Sequence, residues 1–326
     1  MYDVIGDIHG YYDVLHRLMV KMGYRYDIEH HVFTHPEKRK AIFVGDFIDR
    51  GPDNVKTVRL VRNMVNIGAA YAIMGNHDYN AVLWATPHPD KPNEFQRPHS
   101  EKHSIQHKTY LDEVLRNNDI SQEMQDFFKS LPVYLQIGNA NIVHACWAPS
   151  LIRKLHDGGC LDNQGRLTDK GWRAAGDRTS PYHQPIEVLL KGPKDKVPNG
   201  DAYPDAEGVM RTSARLAWWN ENPKTYGEAF CSIPGGEFAK RAFNQSASND
   251  MAKTIARDLK AMPNDQVVFI GHIWQSGQPK PLSQQVICVD YSIGAFRIKD
   301  MEYPRQGEFV YVPTVRKRSP ILVAAQ

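Results

Sequence analysis

Residues 44–52 read VGDFIDRGP. An apolar run over 41–44 breaks at Gly45 and delivers Asp46, Asp49 and Arg50 in close succession. A short apolar, β-branched run of this kind predicts a buried strand. A strand that surfaces directly into two acids and a base presents chemistry where an ordinary turn would serve. The same arrangement recurs along the chain. The apolar run 2–5 leads into Gly6-Asp7-Ile8-His9-Gly10, and 70–74 leads into Gly75-Asn76-His77-Asp78. Farther on, 141–143 is followed by His144 and 267–270 by Gly271-His272. Strands are also expected at 286–289 and 308–312.

Between the early strands lie helical patterns. Residues 11–22 carry apolar side chains at 14, 15, 18, 19 and 22, and 55–67 repeats that spacing. Strand alternating with helix predicts a layered α/β fold. Two stretches depart from it. Residues 80–110 are polar and rich in Pro and His, whereas 147–265 hold many Gly, Pro and Trp residues with weak periodicity. Both are expected to be excursions from one domain spanning 1–326, with 147–265 a cap-like insertion forming part of a substrate wall.

Composition narrows the function. The 326 residues are 41% hydrophobic and 24% charged, as in an ordinary globular protein. No apolar run approaches the roughly 18 residues of a membrane span. Forty Lys and Arg against 37 Asp and Glu give no concentrated basic face for nucleic acid. No Gly-x-x-x-x-Gly-Lys-Ser/Thr occurs, which excludes a Walker-type nucleotide site. The four cysteines are scattered without a Cys-x-x-Cys pair, as suits a reducing compartment. The first residues, MYDVIGDIHG, enter a strand without a leader pattern, so a cytoplasmic location is expected.

In open α/β sheets, ligands gather outside the carboxyl ends of the strands. The strand exits therefore converge Asp7, His9, Asp46, Asn76, His144 and His272. Taken singly, an Asp-x-His is a turn and a strand-end histidine is a satisfied core residue; their ordered combination is what points to metal. Mixed carboxylate, imidazole and amide donors suit divalent Mn, Fe, Zn or similar ions better than Ca or a thiolate site.

The series Gly-Asp-x-His-Gly, Gly-Asp-x-x-Asp-Arg-Gly, Gly-Asn-His-Asp, His, Gly-His resembles the calcineurin-like metallophosphoesterase superfamily. It is nearest the phosphoprotein-phosphatase branch, which includes bacterial Ser/Thr phosphatases and diadenosine tetraphosphatases. The resemblance spans residues 6–272 and implies a β-sandwich flanked by helices, with two divalent metal ions. Asp7, His9 and Asp46 would hold the first ion. Asp46, as the bridge, would hold the second with Asn76, His144 and His272. Mn is the expected metal, with Fe, Zn, Ni or Mg acceptable. The implied reaction is hydrolysis of phosphate esters by direct attack of a metal-bridging hydroxide, as in Ser/Thr protein phosphatases. The alternatives are a diadenosine tetraphosphate hydrolase and a nucleic-acid-end phosphatase. A non-catalytic phospho-binding module would lack a ligand or the acid, and none is missing. Two positions depart from the pattern: Asp78 stands where the family usually has Glu, and Ala145-Cys146-Trp147 where phosphoprotein phosphatases carry two glycines.

The opening stretch then has an explanation. Two ions about 3.5–4 Å apart clamp the attacking and leaving oxygens of a phosphoryl group, and Asp46 is the shared carboxylate. Arg50 would fork onto phosphate oxygens, while Asp49 would orient His77 as general acid. The bland reading of Asp49 and Arg50 is a surface ion pair worth about 0–1 kcal/mol. Arg211 and Arg215, four apart, would share a helix face as a second phosphate clamp. Asp290 and Tyr291 are expected to line the cleft, and His88, His99, His103 and His107 to support or cover it. Trp218 and Trp219 read as packing, with nucleobase stacking the alternative. The partner is a phosphorylated substrate (phosphoprotein, nucleotide or phosphorylated oligonucleotide end), with no membrane and no obligate protein partner.

Overall fold

The structure, a computed structural model, describes residues 1–291 except 116, 206–207, 245–249, 276 and 278, together with short strands at 310–311 and 323–324. The first half runs β1 (Tyr2–Ile5), α1 (Tyr12–Lys21), β2 (Arg25–Asp27), β3 (Val32–Thr34), β4 (Lys40–Phe43), α2 (Asn54–Asn66), β5 (Ala70–Ala72) and α3 (Asn76–Ala85). Helices α4 (Glu101–Gln106), α5 (Lys108–Val114) and α6 (Asn118–Ser130) follow, then β6 (Tyr134–Ile137) and β7 (Ala140–Val143). Next come α7 (Pro149–Asp157), α8 (Asp169–Gly176), α9 (His183–Lys191), β8 (Lys194–Lys196), β9 (Tyr203–Pro204), β10 (Met210–Arg211), β11 (Ser213–Arg215) and α10 (Tyr226–Ala229). Helix α11 (Asp250–Lys260) leads back to β12 (Val267–Ile270) and β13 (Val286–Cys288), with β14 (Val310–Tyr311) and β15 (Val323–Ala324) beyond. Of the expected strand 308–312, only 310–311 lie among the described residues.

Two sheets carry the core. One is the parallel trio β1-β4-β5; the other has the order β13-β12-β7-β6, antiparallel only between β6 and β7. Strand side chains alternate between two faces, and both alternations are apolar here. Val4, Ile42, Val44, Ala140, Ile142, Phe269, Ile287 and Val289 form a core between the sheets. Ile5, Ala41, Phe43, Val143, Val268, Ile270 and Cys288 belong instead to the large core under the helices. A strand buried on both faces reads as a continuous apolar run, which is why these segments were legible. The layered α/β expectation, a sandwich flanked by helices, therefore holds.

The helices follow from their stripes. In α2, Val55, Val58, Val61 and Met64 are buried on one side. Residues 80–110, expected as an excursion from the core, instead contain the end of α3, all of α4 and the start of α5. Their polarity reflects exposed faces, as Tyr110, Leu111 and Val114 still form a buried stripe. The stretch 147–265 is heterogeneous. Leu151, Leu155, Ile186 and Leu189 of α7 and α9 share the main core, whereas Val197, Tyr203, Ala214, Leu216, Tyr226 and Phe230 form a small core of their own. Trp218 and Trp219 are buried, with Trp218 Nε1 donating to Ala145 O at 3.0 Å, so they pack. No helix among the described residues is long and apolar enough to cross a membrane.

The two sheet exits nearest the centre touch backbone to backbone. Gly45 has φ +97°, and a Cβ there would lie 2.3 Å from Gly75 N. One on Gly75 would lie 2.1 Å from Asp46 N. Gly45→Ala should therefore destabilise the fold by roughly 3 kcal/mol or more through left-handed strain plus collision. Thermal unfolding reads this directly, and an unchanged midpoint would contradict the close approach.

Candidate metal centre

All six metal-competent side chains reach one edge of the sandwich. Asp7 and His9 follow β1, Asp46 follows β4, Asn76 opens α3 after β5, His144 follows β7 and His272 follows β12. All are buried except His272, which is partly so. The chain turns sharply to deliver them: His9, Asp46, Asp49, Arg50 and His272 all have positive φ, between 51° and 73°. Non-glycine residues rarely adopt this conformation, and its clustering marks a functional site.

Asp46 stands at the middle. Its carboxylate lies 3.7 Å from His9 Nε2, 3.9 Å from His77 Nε2 and 3.4 Å from His144 Nε2. Donor atoms of His9, Asp46 and His77 lie within 4.8 Å of one another, and so do those of Asp46, His144 and His272. Asn76 Oδ1 is 3.2 Å from His144 Nε2. Asp7 Oδ2 is 4.0 Å from His9 Nε2, and its oxygens accept from His272 N at 3.1 and 3.2 Å.

The donors fit divalent ions. His9 Nδ1 bonds Ile48 O at 2.9 Å and His144 Nδ1 bonds Val44 O at 2.7 Å. A carbonyl only accepts, so each Nδ1 carries a proton and each Nε2 faces Asp46, that of His9 with a lone pair and that of His144 with one that metal would free. Lone pairs facing a buried carboxylate call for a cation between them, and imidazoles tied through the far nitrogen are ordinary metal ligands. His272 Nε2 is buried without a partner among the described residues. Burial pushes His9 down to about 3, with the charges of Arg50 and His77 acting in the same direction. Burial likewise raises Asp7 well above the carboxylate range, and Asp290 adds to it.

A histidine–carboxylate pair lies beside this group of donors. His77 Nδ1 bonds Asp49 Oδ2 at 2.5 Å, and His77 N donates to Asp46 Oδ1 at 2.8 Å. Asp49 is 2% exposed. Against the effect of burial, hydrogen bonds from His107 and His77 hold its carboxyl below the usual range. Asp78 supports the Asp46 backbone from behind, accepting from Asp46 N, Phe47 N and Gly75 N at 2.9, 3.0 and 2.9 Å. Its short side chain thus completes a backbone cradle. Arg50 stands exposed at the rim, and its charge reaches both His9 and Asp290. Asp290 is buried; burial raises it to about 7.

Arg211 and Arg215 do not share a helix face: they lie on β10 and β11. The four-residue spacing suggested a helix, but Ala214 and Leu216 are the buried residues there, a period of two. Arg211 Nε pairs with Asp205 at 2.7 Å. Arg215 Nε donates to Lys191 O at 2.7 Å, and its charge lies close enough to help burial depress His272. Of the four histidines between 88 and 107, only His107 is buried, and its Nδ1 lies 2.7 Å from Asp49 Oδ1. Support of the cleft was expected of His107, but its partner Asp49 was not, although the helical spacing 107, 110, 111, 114 placed it on a buried face.

The family model of the calcineurin-like phosphoesterases matches residues 2–275. The chain belongs to that family. The chain is 31% identical over 144 residues to the asymmetrical bis(5'-nucleosyl)-tetraphosphatase PrpE of Oceanobacillus iheyensis, covering 44% of this chain and 54% of the relative. The Bacillus subtilis protein of the same name is 29% identical over 147 residues, covering 44% and 56%. The chain thus spans about half the length of these curated relatives. Among solved structures, a cold-active protein-tyrosine phosphatase of a Shewanella species aligns with TM-score 0.48 and 15% identity, covering 95% of this chain and 74% of that one. A protein serine/threonine phosphatase from Saccharomyces cerevisiae aligns with TM-score 0.43 and 15% identity, covering 88% and 66%.

Proposed function

We propose that the chain is a dinuclear metal-dependent phosphoric ester hydrolase whose preferred substrate contains several phosphates in a row, a dinucleoside polyphosphate foremost. The carrying observation is one carboxylate, Asp46, shared by two groups of metal-competent donors with the His77–Asp49 pair beside it. Asp7, His9 and Asp46 would hold one ion, and Asp46, Asn76, His144 and His272 the other. When bound, the ions supply positive charge for phosphoryl oxygens and acidify water at neutral pH. Manganese suits these donors, with Fe, Zn, Ni or Mg as competitors chosen by availability. Cytoplasmic residence accords with four unpaired cysteines.

The protein's own groups do the rest. His77 keeps Nδ1 on Asp49 and turns Nε2 to the centre, where it can give a proton to the leaving oxygen. Arg50 presents a planar fork to phosphate oxygens. On one side of the centre, Arg215 lies directly opposite Lys194 across the β8–β11 pair. Like charges so placed repel, and an anion between them relieves this. Lys191 adds a third cation, bonded to Glu187 at 2.6 Å. Arg97, with Nε buried and unpartnered among the described residues, adds a fourth near Asp49. A cluster of cations suits a substrate of several phosphates better than a monoester. The relatives named as tetraphosphatases agree with that reading. A phosphoprotein is the second reading, favoured by the exposure of Arg50 at the rim.

Initial rates with Mn²⁺ on diadenosine tetraphosphate, a phosphoserine peptide and an end-phosphorylated oligonucleotide test this, with Asp49→Asn as the control for contamination. Diadenosine tetraphosphate should show the highest kcat/KM. A preference for the peptide would overturn the substrate assignment while leaving the chemistry intact.

A further inference from the structure

We propose that His107 is a positioning residue for the acid, and that α5 is the platform through which it acts. The inference rests on reading His77 as the acid of a phosphoester hydrolase. Asp49 uses one oxygen for each histidine: Oδ2 bonds His77 at 2.5 Å, and Oδ1 bonds His107 at 2.7 Å. A carboxylate held at one oxygen can still rotate, because its terminal torsion is broad. Held at both, it presents a fixed lone pair to His77.

The tautomer supports this direction of control. His107 is 2% exposed, and its Nε2 is buried with no partner among the described residues. A proton placed there would be orphaned, so the proton sits on Nδ1 and His107 donates to Asp49. The ring packs against Tyr110 and Trp84, with centroids 4.8 and 5.8 Å apart. If packing were its only role, an apolar side chain would fill this place without leaving a nitrogen unserved.

The same helix also fixes the Asp49 backbone. Asp49 has φ 73° and donates its N–H to Asn54 Oδ1 at 2.7 Å. Asn54 Nδ2 donates in turn to Glu113 Oε1 at 2.5 Å. Glu113 also accepts from Asn54 N and Val55 N at 2.7 and 2.9 Å, capping α2. His107 precedes the first residue of α5, and Glu113 lies in its last turn. One short helix therefore holds the side chain of Asp49 at one end and its main chain, through Asn54, at the other.

The test uses the full chain with Mn²⁺ and three variants, assayed on a simple alkyl phosphate and on p-nitrophenyl phosphate, whose leaving group needs little protonation. His107→Leu removes the donor. His107→Asn returns an amide N–H near the Nδ1 position, whereas the amide of His107→Gln reaches the Nε2 position instead. Leu and Gln should lower kcat on the alkyl ester roughly 10- to 100-fold, the scale for losing an outer orienting partner. KM should change little, the loss should shrink on p-nitrophenyl phosphate, and Asn should recover much of it. Added to Asp49→Asn, the Leu change should cost nothing further. Equal losses on both esters, no difference between Asn and Gln, or an unchanged kcat in a folded Leu variant would overturn the proposal. Activity is not the only readout. With ¹⁵N-histidine, the downfield Nδ1–H proton of His77, assigned by its loss in His77→Asn, should shift in His107→Leu or His107→Gln. If Asp49→Asn leaves turnover intact, the acid assignment fails; if that resonance stays in place, the positioning role fails.

Discussion

Asp46→Asn should fold normally, lose its metal and fall in activity by more than the roughly 10²- to 10⁴-fold expected for a proton-transfer residue. Both oxygens of Asp46 are committed. Oδ1 accepts from His77 N at 2.8 Å and faces His144, while Oδ2 faces His9 and His77. Asparagine keeps one acceptor, and its amide would then donate toward imidazole lone pairs. The metal-free variant therefore has no new unpartnered group, and a buried charge is gone. Binding is lost because an amide nitrogen is not a ligand and one negative charge at the shared position disappears. The parent's pH dependence supplies a second signature. Against burial, Asp46 and Asp7 raise His144 to about 10, so a proton occupies Nε2 until metal displaces it. In the parent, metal affinity should climb with pH through neutrality, with proton release. Calorimetry in buffers of different ionisation enthalpy measures both. A variant that keeps its metal and turnover would remove Asp46 from the centre.

Much of this candidate site was legible because most of its residues leave strands at short, glycine-marked exits. Asp7, His9, Asp46, Asn76, His144 and His272 are scattered over most of the chain, yet each follows an apolar run, and parallel strands bring such exits to one edge. What escaped depends on long-range pairing. Nothing local to His107 names Asp49, 58 residues away, as its partner. Glu113 likewise caps a helix that begins at Asn54. The strands holding Arg211 and Arg215 are only two and three residues long. At that length the local pattern does not separate strand from helix, and cross-strand pairing of β10 with β9 and of β11 with β8 decides it. Helix α4 was hidden by composition because it buries no residue, and α5 because its apolar stripe of Tyr110, Leu111 and Val114 is narrow and the buried residue before it is a histidine.

His77→Asn should lower kcat by roughly 10²- to 10⁴-fold on an alkyl phosphate, with both metals retained and a much smaller loss on p-nitrophenyl phosphate. Geometry alone leaves a competing role open, because His77 Nε2 sits in a tight donor group with His9 and Asp46. The supports distinguish the two. His9 and His144 are held through Nδ1 by backbone carbonyls, which fix a neutral ligand. His77 is held by the carboxylate of Asp49, which stabilises the imidazolium formed whenever it carries the extra proton. His77 is also the more accessible, its side chain 18% exposed where those of His9 and His144 are 1% and 0%. A proton donor must meet both substrate and solvent to be reprotonated, whereas a ligand needs neither. Carboxylate-held histidines do also bind metal, so metal content decides the matter. Full occupancy with slow turnover of poor leaving groups assigns the acid. An emptied site would make His77 a ligand, and the role of Asp49 would become one of orienting it toward metal.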